Sequence, residues 1–233
     1  MDYFFTKGKF TEAELEQAII ELFRQQEYEY TCGEAIHREL DTVLLEEDLR
    51  AFLTRKYQDK HLSDVEMKKI VNMLSLIPSA PLYAANRQAF WLVVEGFDLV
   101  RDRLGELPVH IDFIDFEHPE HNIFRVVNQY SVQGKRRRRP DLLLFINGIP
   151  VSIWEFKTAI EEDTTIHDAW EQITIRYQRD IPNLLKYCFL SVICDGANTR
   201  LGSIFTPYRF YYAWNKANDT DTVAHGISSL MTM

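Results

Sequence analysis

Two apolar segments on either side of Asn147-Gly148 limit how this chain can fold more than any other feature of its sequence. They read DLLLFI and IPVSIWEF, within the stretch RRRRPDLLLFINGIPVSIWEFK at residues 136–157. An Asn-Gly pair between two such segments is typical of a β-hairpin with a tight turn. Nearly continuous apolar runs of this length indicate strands that are buried on both faces. We therefore predict a hairpin of two buried strands.

The length of the turn decides which side chains share a face of this hairpin. A two-residue turn sets Asp141 opposite Trp154, on the face away from Glu155. A three-residue turn, with Gly148 in the left-handed conformation, sets Asp141 opposite Ile153 and on the face of Glu155. A shared carboxylate site therefore requires the three-residue loop, and we predict that the two carboxylates lie on one face.

Asp141, Glu155 and Lys157 together suggest a chemical role. Two carboxylates on a buried face repel each other unless a cation lies between them, and Mg²⁺ typically takes one or two carboxylates. Lys157, which strand alternation places on the face of Glu155, could orient or deprotonate a water, or stabilise charge on a phosphate. This set suits phosphodiester hydrolysis. A pair of solvated strand ends beside a core Phe156 is an alternative, because such short patterns recur by chance.

The rest of the chain predicts helices first and strands later. The first hundred residues have helical spacing, with capping boxes at Thr11 to Glu14 and Ser63 to Glu66. From Val109 the period changes to that of strands, interrupted by one helix at 168–181 that is stopped by Pro182.

These elements predict an α/β fold, a mixed β-sheet with helices on both faces. We predict a helical N-terminal part at 1–105 that packs on a core at 106–233, the two forming one unit.

The charge of the chain restricts how it could bind nucleic acid. A net charge of −9 repels DNA, so any contact must come from a local basic patch. The run KRRRR at 135–139 is the densest such patch, although a solvated loop is equally consistent with it. Three cysteines without CxxC spacing, and no signal-peptide or membrane-spanning pattern, predict a reduced, cytoplasmic protein.

Longer stretches carry a specific resemblance. The segments NIFRVVNQYSV, RRRRPDLLLFINGIPVSIWEFK and YQRDIPNLLKYCFLSVICDGANTRLGS resemble the N-terminal nuclease region of the R (restriction) subunit of type I restriction-modification enzymes, in the PD-(D/E)xK superfamily. The likeness runs from about Thr11 to Trp214. It implies a restriction-endonuclease-like fold and a Mg²⁺-dependent endonuclease, with metal carboxylates at Asp141 and Glu155 and a catalytic lysine at Lys157.

The resemblance also implies a Gln-xxx-Tyr motif on the helix after the hairpin. The nearest match is Gln172 with Tyr177, one residue too far apart, and Ile173 stands where the strict spacing needs glutamine. On an α-helix a five-residue gap rotates the pair apart. The resemblance nevertheless makes Gln172 and Tyr177 candidate catalytic residues. Gln129, on the strand before the basic run, is a further candidate, although a strand amide bonded to backbone is as consistent with the sequence.

The partners are implied in the same way. Complete R subunits continue into a motor that hydrolyses ATP, whereas this chain contains no G-x-x-x-x-G-K-[ST], so we expect it to be part of a longer protein. Double-stranded DNA would contact Arg136, Arg137, Arg138 and Arg139, and modification and specificity subunits would choose the sequence. A DNA-repair exonuclease and a non-catalytic binding or assembly module remain alternatives.

Overall fold

The computed structural model of the protein describes residues 11–157, 165–196 and 198–213, so Trp214 lies outside the described part. Its strands are β1 (Glu29–Cys32), β2 (Phe97–Leu99), β3 (Val109–Ile111), β4 (Phe124–Asn128), β5 (Val132–Gln133), β6 (Arg137–Arg138), β7 (Leu142–Ile146), β8 (Ile149–Phe156), β9 (Leu190–Cys194), β10 (Thr199–Gly202) and β11 (Tyr212–Ala213). Seven of them form one mixed sheet in the order β1-β4-β7-β8-β9-β10-β11. The β7–β8 hairpin therefore lies in the interior of the sheet, as the sequence predicts.

The helices are α1 (Glu12–Gln25), α2 (Glu46–Lys56), α3 (Asp64–Ser75), α4 (Leu82–Glu95), α5 (Ile166–Glu171), α6 (Gln178–Asp180) and α7 (Pro182–Leu185). A π-helical turn at Gln172–Tyr177 joins α5 to α6, and we call the continuous element 166–180 the site helix. Both predicted capping boxes are present, at the starts of α1 and α3. Within the described ranges, no helix has the length and apolar character needed to cross a membrane.

Helices cover both faces of the sheet. On one face, apolar side chains of α1 pack on alternate strand residues such as Leu142 and Trp154. On the other face, α2 to α4 and the site helix pack on the intervening residues, including Leu143 and Ile153. The central strands β7 and β8 thus bury both of their faces, which explains their continuous apolar runs in the sequence. The predicted mixed α/β fold with flanking helices is confirmed.

The N-terminal part also supplies a strand that the sequence analysis did not predict. Strand β1 pairs in parallel with β4 at the edge of the main sheet. Four residues are too few to show a periodicity, and each pairs with a residue 96 positions later in the chain, so no local pattern marks this strand. The N-terminal part is therefore not only helical.

The hairpin turn differs from the predicted three-residue loop. Ile146 pairs with Ile149, so the turn contains two residues, and the prediction of an odd-length loop is wrong. The register instead shifts inside the hairpin: Phe145 pairs with Pro150, whereas the preceding Leu144 pairs with Ser152. This β-bulge inserts one extra residue into β8 and reverses the parity that the two-residue turn would impose.

The two turn residues explain why the turn is short. Both have positive φ, 50° at Asn147 and 78° at Gly148, as a tight hairpin turn of the primed type requires. The buried Asn147 side chain accepts a hydrogen bond from the Ile123 N–H and donates to the Phe113 carbonyl. The Gly148 carbonyl accepts from the Leu45 N–H at the start of α2. Tertiary contacts therefore fix the turn from both sides.

Gly148→Ala is expected to destabilise the protein by about 3 kcal/mol or more, because a Cβ there would lie 2.1 Å from the Leu45 carbonyl oxygen, in addition to the strain of positive φ. Gly105→Ala is the matched control. Gly105 has φ of 87° with open space around its Cβ position, so only strain of about 1 kcal/mol is expected. Urea unfolding of both variants measures the difference, and equal losses would contradict the docking of the turn on α2.

Candidate active site

Asp141 and Glu155 form the centre of the candidate site, at the end of the β7–β8 hairpin away from its turn. Continuing the Leu142–Trp154 pairing by one residue sets Asp141 directly opposite Glu155. The Asp141 backbone N–H donates to Glu155 Oε1 at 3.4 Å, and the Phe156 N–H donates to Asp141 Oδ2 at 2.8 Å. The bulge in β8 thus brings the two carboxylates together.

Both carboxyl groups lie where their protonated forms are favoured. Glu155 is fully buried, and this burial raises its pKa well above the usual range, with a further increase from the charge of Asp141. Burial also raises the pKa of Asp141, although the Phe156 N–H and the charge of Lys157 oppose that rise. Two ionised carboxylates side by side are unfavourable unless a cation is bound between them.

Lys157 follows directly after β8, and its surroundings differ from the predicted ones. Its ammonium group donates to the Phe156 carbonyl at 2.8 Å and lies 3.5 Å from Glu12 Oε1 on α1. No ion pair joins Lys157 directly to Asp141 or Glu155 in the described part of the chain, but its charge lowers the pKa of both carboxyl groups. Lys157 is therefore adjacent to the pair and oriented toward α1.

Gln172 and Tyr177 are brought together by the π-helical turn. Hydrogen bonds in a π-helix join residues five apart, so this spacing places both side chains on one side of the site helix. Gln172 Nε2 donates to Tyr177 Oη at 2.7 Å and to Glu155 Oε2 at 2.6 Å. The prediction that a five-residue gap separates the pair is wrong, because it assumed α-helical geometry. The π-turn accommodates the extra residue, and Gln172 supports Glu155.

Deleting Ile175, whose side chain is exposed, is expected to convert the π-turn to α-helix and to keep the Gln172–Tyr177 contact at the shorter spacing. The matched control deletes Glu171, which shortens the helix equally but keeps the five-residue gap. Because buried residues hold both ends of the site helix, this shortening should also remove the π-turn and rotate Gln172 away from Glu155. The control should then bind Mn²⁺ roughly tenfold or more weakly, the usual effect of losing support for a metal ligand. Calorimetric titration and thermal unfolding compare the variants. Equal Mn²⁺ affinities for the two deletions would contradict this role of the π-turn.

The chemistry of the carboxylate pair fits Mg²⁺. No group of three or more His, Cys, Asp or Glu side chains is arranged for a metal within 11–157, 165–196 and 198–213, so the protein offers two carboxylates here. Mg²⁺ commonly binds one or two carboxylates and completes its octahedron with waters and phosphate oxygens. A bound cation would also offset the burial that raises both pKa values and the charge of Asp141 that raises the pKa of Glu155 further. Asp141 and Glu155 are thus the residues that could hold the ion.

Helix α1 contributes two acidic residues that the sequence analysis missed. Glu12 faces Lys157, and its charge raises the pKa of Asp141 slightly further after burial, the main cause. Glu16 accepts hydrogen bonds from Asn128 Nδ2 and from Gln129 Nε2, each at 2.7 Å. The Gln129 amide is therefore bonded to α1 rather than to the carboxylate pair. The helical spacing of Glu12 and Glu16 places them on one face of α1, but only the fold shows what that face contacts.

The basic run contains one arginine with a structural role. Arg138 donates from Nε and Nη2 to Oδ2 of the buried Asp180, at 2.8 and 2.5 Å. An arginine engaged in such a pair is less available to bind phosphate. We therefore retain the DNA-binding prediction for Arg136, Arg137 and Arg139, whose side chains are exposed.

A cleft of about 420 Å³ lies beside the carboxylate pair. It is lined by Arg137, Arg138, Arg139 and Arg176, together with Gln172 and Tyr177. Because Gln172 also contacts Glu155, the cleft and the carboxylate pair are adjacent. Burial and the charge of Glu155 raise the pKa of Tyr177, so this side chain stays a neutral phenol near pH 7.

Several curated proteins are similar to this chain in sequence. The chain is 28% identical over 221 residues to a putative type I restriction enzyme MjaIXP endonuclease subunit of Methanocaldococcus jannaschii, covering 90% of this chain and 21% of that protein. It is 24% identical over 224 residues to the type I restriction enzyme HindI endonuclease subunit of Haemophilus influenzae, covering 91% and 21%. A Staphylococcus saprophyticus type I restriction enzyme endonuclease subunit, SsaAORF53P, is 26% identical over 183 residues, covering 76% and 19%.

The chain therefore spans about a fifth of the length of these curated relatives. Over residues 9–210 it also matches the family described as type I restriction enzyme R protein N terminus. That match includes the whole of α1, the hairpin and the site helix. Since it covers most of the sequence, this chain belongs to the family of N-terminal regions of type I restriction enzyme R proteins.

Proposed function

We propose that this chain is a Mg²⁺-dependent endonuclease domain of a type I restriction enzyme R subunit and hydrolyses phosphodiester bonds of double-stranded DNA. The observation that carries the proposal is the buried Asp141–Glu155 pair, braced by Gln172 beside an arginine-lined cleft. The curated relatives, each named as an endonuclease subunit, support the same proposal.

The site residues have different roles in the proposed reaction. Asp141 and Glu155 hold Mg²⁺, which supplies charge neutralisation on the phosphate and promotes ionisation of a water. Gln172 bonds Glu155 Oε2 and keeps that carboxylate in one orientation. Lys157, next to the pair, stabilises negative charge that develops on the phosphate or orients the attacking water. Asp141, Glu155 and Lys157 all lie at the end of the hairpin away from its turn, which supports these roles.

The wider assembly is part of the proposal. The chain spans about a fifth of its relatives, so an ATP-dependent motor and contacts with modification and specificity subunits would involve other parts of a longer subunit. Contacts to the DNA backbone carry no sequence information, so partner subunits would select the site.

A covalently closed circular plasmid tests the function, because it has no ends for an exonuclease. We expect Mg²⁺-dependent conversion of supercoiled plasmid to the nicked form, and no conversion in EDTA, by the chain alone or by the complete assembled enzyme. Degradation of linear DNA only would indicate an exonuclease. DNA binding without hydrolysis of either substrate, in the assembled enzyme as well, would indicate a non-catalytic module.

A further inference from the structure

We infer that the arginine-lined cleft is a binding subsite for a DNA backbone phosphate adjacent to the one that is cut, bound by Arg137, Arg139 and Arg176. Asp180 is the positioning residue that holds the basic hairpin, residues 132–138, against the site helix. The inference deepens the proposed function and rests on it. The ligand class is a phosphodiester of duplex DNA.

The arginines near the cleft fall into two groups. Asp180 accepts hydrogen bonds from Arg138 and from Arg179, so these two cations are paired at the end of the site helix. The Arg176 side chain, one turn before, forms no ion pair or hydrogen bond within the described residues, is exposed and lines the cleft. Arg176 therefore remains available for a ligand that enters the cleft.

Arg137 and Arg139 belong with Arg176 to the arginines that are available to a ligand in the cleft. Arg137 donates to the neutral Ser131 hydroxyl at 3.1 Å, and Arg139 lies 3.4 Å from Glu34 in a pair that is exposed on both sides. An exposed ion pair of this kind is weak and exchanges readily. Cations gathered around one cleft repel one another, and an anion with several oxygens relieves that repulsion through charge-assisted hydrogen bonds.

Asp180 fixes the basic hairpin through its main chain as well as its carboxylate. Its carbonyl oxygen accepts the backbone N–H groups of Lys135 at 2.7 Å and Arg136 at 3.4 Å. A Cβ on Gly134 would lie 2.3 Å from the same carbonyl oxygen, so glycine allows this close approach. The hairpin that carries Arg137 is thus attached to the helix that carries Arg176, and the two sides of the cleft keep a fixed relation.

The location of the cleft determines which phosphate it would bind. Gln172 lines the cleft and also bonds Glu155, while Tyr177 lines it and lies 3.5 Å from the Arg139 carbonyl. When the scissile phosphate of a DNA strand lies at the carboxylate pair, the neighbouring phosphate of that strand therefore lies in the cleft. In a chain with net charge −9, this local group of arginines provides the attraction that the whole molecule does not.

Fluorescence anisotropy with a short duplex in EDTA tests the cleft without any requirement for cleavage. Each lost phosphate contact lowers the slope of log affinity against log salt by about one. We expect a decrease of about one for Arg176→Gln and about two for the Arg137→Gln/Arg139→Gln double variant. Arg24→Gln is the charge-matched control, since Arg24 lies at the far end of α1 in an exposed pair with Glu21, and its slope should not change.

Gly134→Ala tests the positioning role without changing any charge. We expect weaker duplex binding and a higher KM for cleavage by the assembled enzyme, with little change in kcat, because the hairpin is displaced while the carboxylate pair is untouched. Asp180→Asn should act in the same direction. Thermal unfolding identifies a variant that fails to fold, in which case the folded one of the two provides the test.

The outcomes separate this inference from the proposed function. Unchanged salt slopes in Arg176→Gln and in the double variant would overturn the subsite even if the plasmid is nicked. Reduced slopes in those variants would support it even if no cleavage occurs. Titration with inorganic phosphate identifies the ligand: tight binding of free phosphate, with duplex affinity unchanged in the variants, would indicate a small-anion site and overturn the inference.

Discussion

Asp141→Asn and Glu155→Gln are each expected to abolish Mg²⁺-dependent cleavage and to weaken metal binding, because each removes one of the two carboxylates that we propose to share the ion. Lys157→Ala should behave differently. It leaves both carboxylates in place and removes a positive charge near them, so metal should bind as well as in the parent or better. Cleavage should still fall roughly 10²-fold or more, as is usual when a group that stabilises charge or transfers a proton is lost.

Calorimetric titration with Mg²⁺ or Mn²⁺ and plasmid nicking measure the two effects separately. The amide variants keep the shape of the buried site, so loss of metal is not confused with loss of folding. Lys60→Ala is the control for the lysine, since Lys60 is exposed and paired only with Asp59 in the described structure. Near-parental cleavage by Lys157→Ala would remove the lysine from the mechanism. Unchanged metal binding by both amide variants would contradict the proposed function.

Glu155→Gln is also expected to raise stability at neutral pH in EDTA. The folded protein raises the pKa of Glu155, chiefly by burial and then by repulsion from Asp141. A group with a raised pKa contributes its full stability below the unfolded pKa and loses it as pH rises through the folded pKa. Near pH 7, above the pKa of this carboxyl group in the unfolded chain, folding must either bury a charge or take up a proton, and both are unfavourable. A neutral amide removes that cost. Each kcal/mol gained should raise Tm by about 2–4 °C.

Glu66→Gln provides a control of opposite sign. Burial raises the pKa of Glu66, but hydrogen bonds from Arg101 and from the Ser63 and Asp102 N–H groups outweigh it and lower the pKa to about 2. Its stabilisation is present above pH 4.5 and is lost as pH falls toward 2. Glu66→Gln should therefore destabilise the protein at pH 7, by roughly 1–3 kcal/mol. Urea unfolding between pH 3 and 8 compares both variants, and a loss of stability in Glu155→Gln at pH 7 would contradict the burial argument.

The β-bulge shows how much can be predicted from the alternation of side chains along a strand. Counting alternate residues required one extra residue between Asp141 and Glu155, and the structure contains it. The sequence analysis placed this extra residue in the hairpin loop, whereas the structure has it in the β8 bulge, because Asn147-Gly148 favours a two-residue turn. Pro150 was the available signal, since a proline in an interior strand is found at bulges and edges.

Neither the π-turn nor the partners of the individual arginines could be predicted from the sequence in this way. Whether a helix takes up an extra residue as a π-turn depends on what its two ends pack against, and Ile173 and Tyr177 are both held in the core. Equally, nothing in the run 136–139 distinguishes Arg138 from its neighbours, because its partner Asp180 lies 42 residues away.

The sequence by itself determined the elements whose causes are local. The capping boxes of α1 and α3 and the apolar strands of the hairpin follow from neighbouring residues. Only the tertiary structure decided the placement of β1 in the sheet, the contact of Lys157 with Glu12, and the assignment of each arginine to an ion pair or to the cleft. These depend on contacts between residues far apart in the chain, which form when helices and strands pack and leave no periodicity in the sequence.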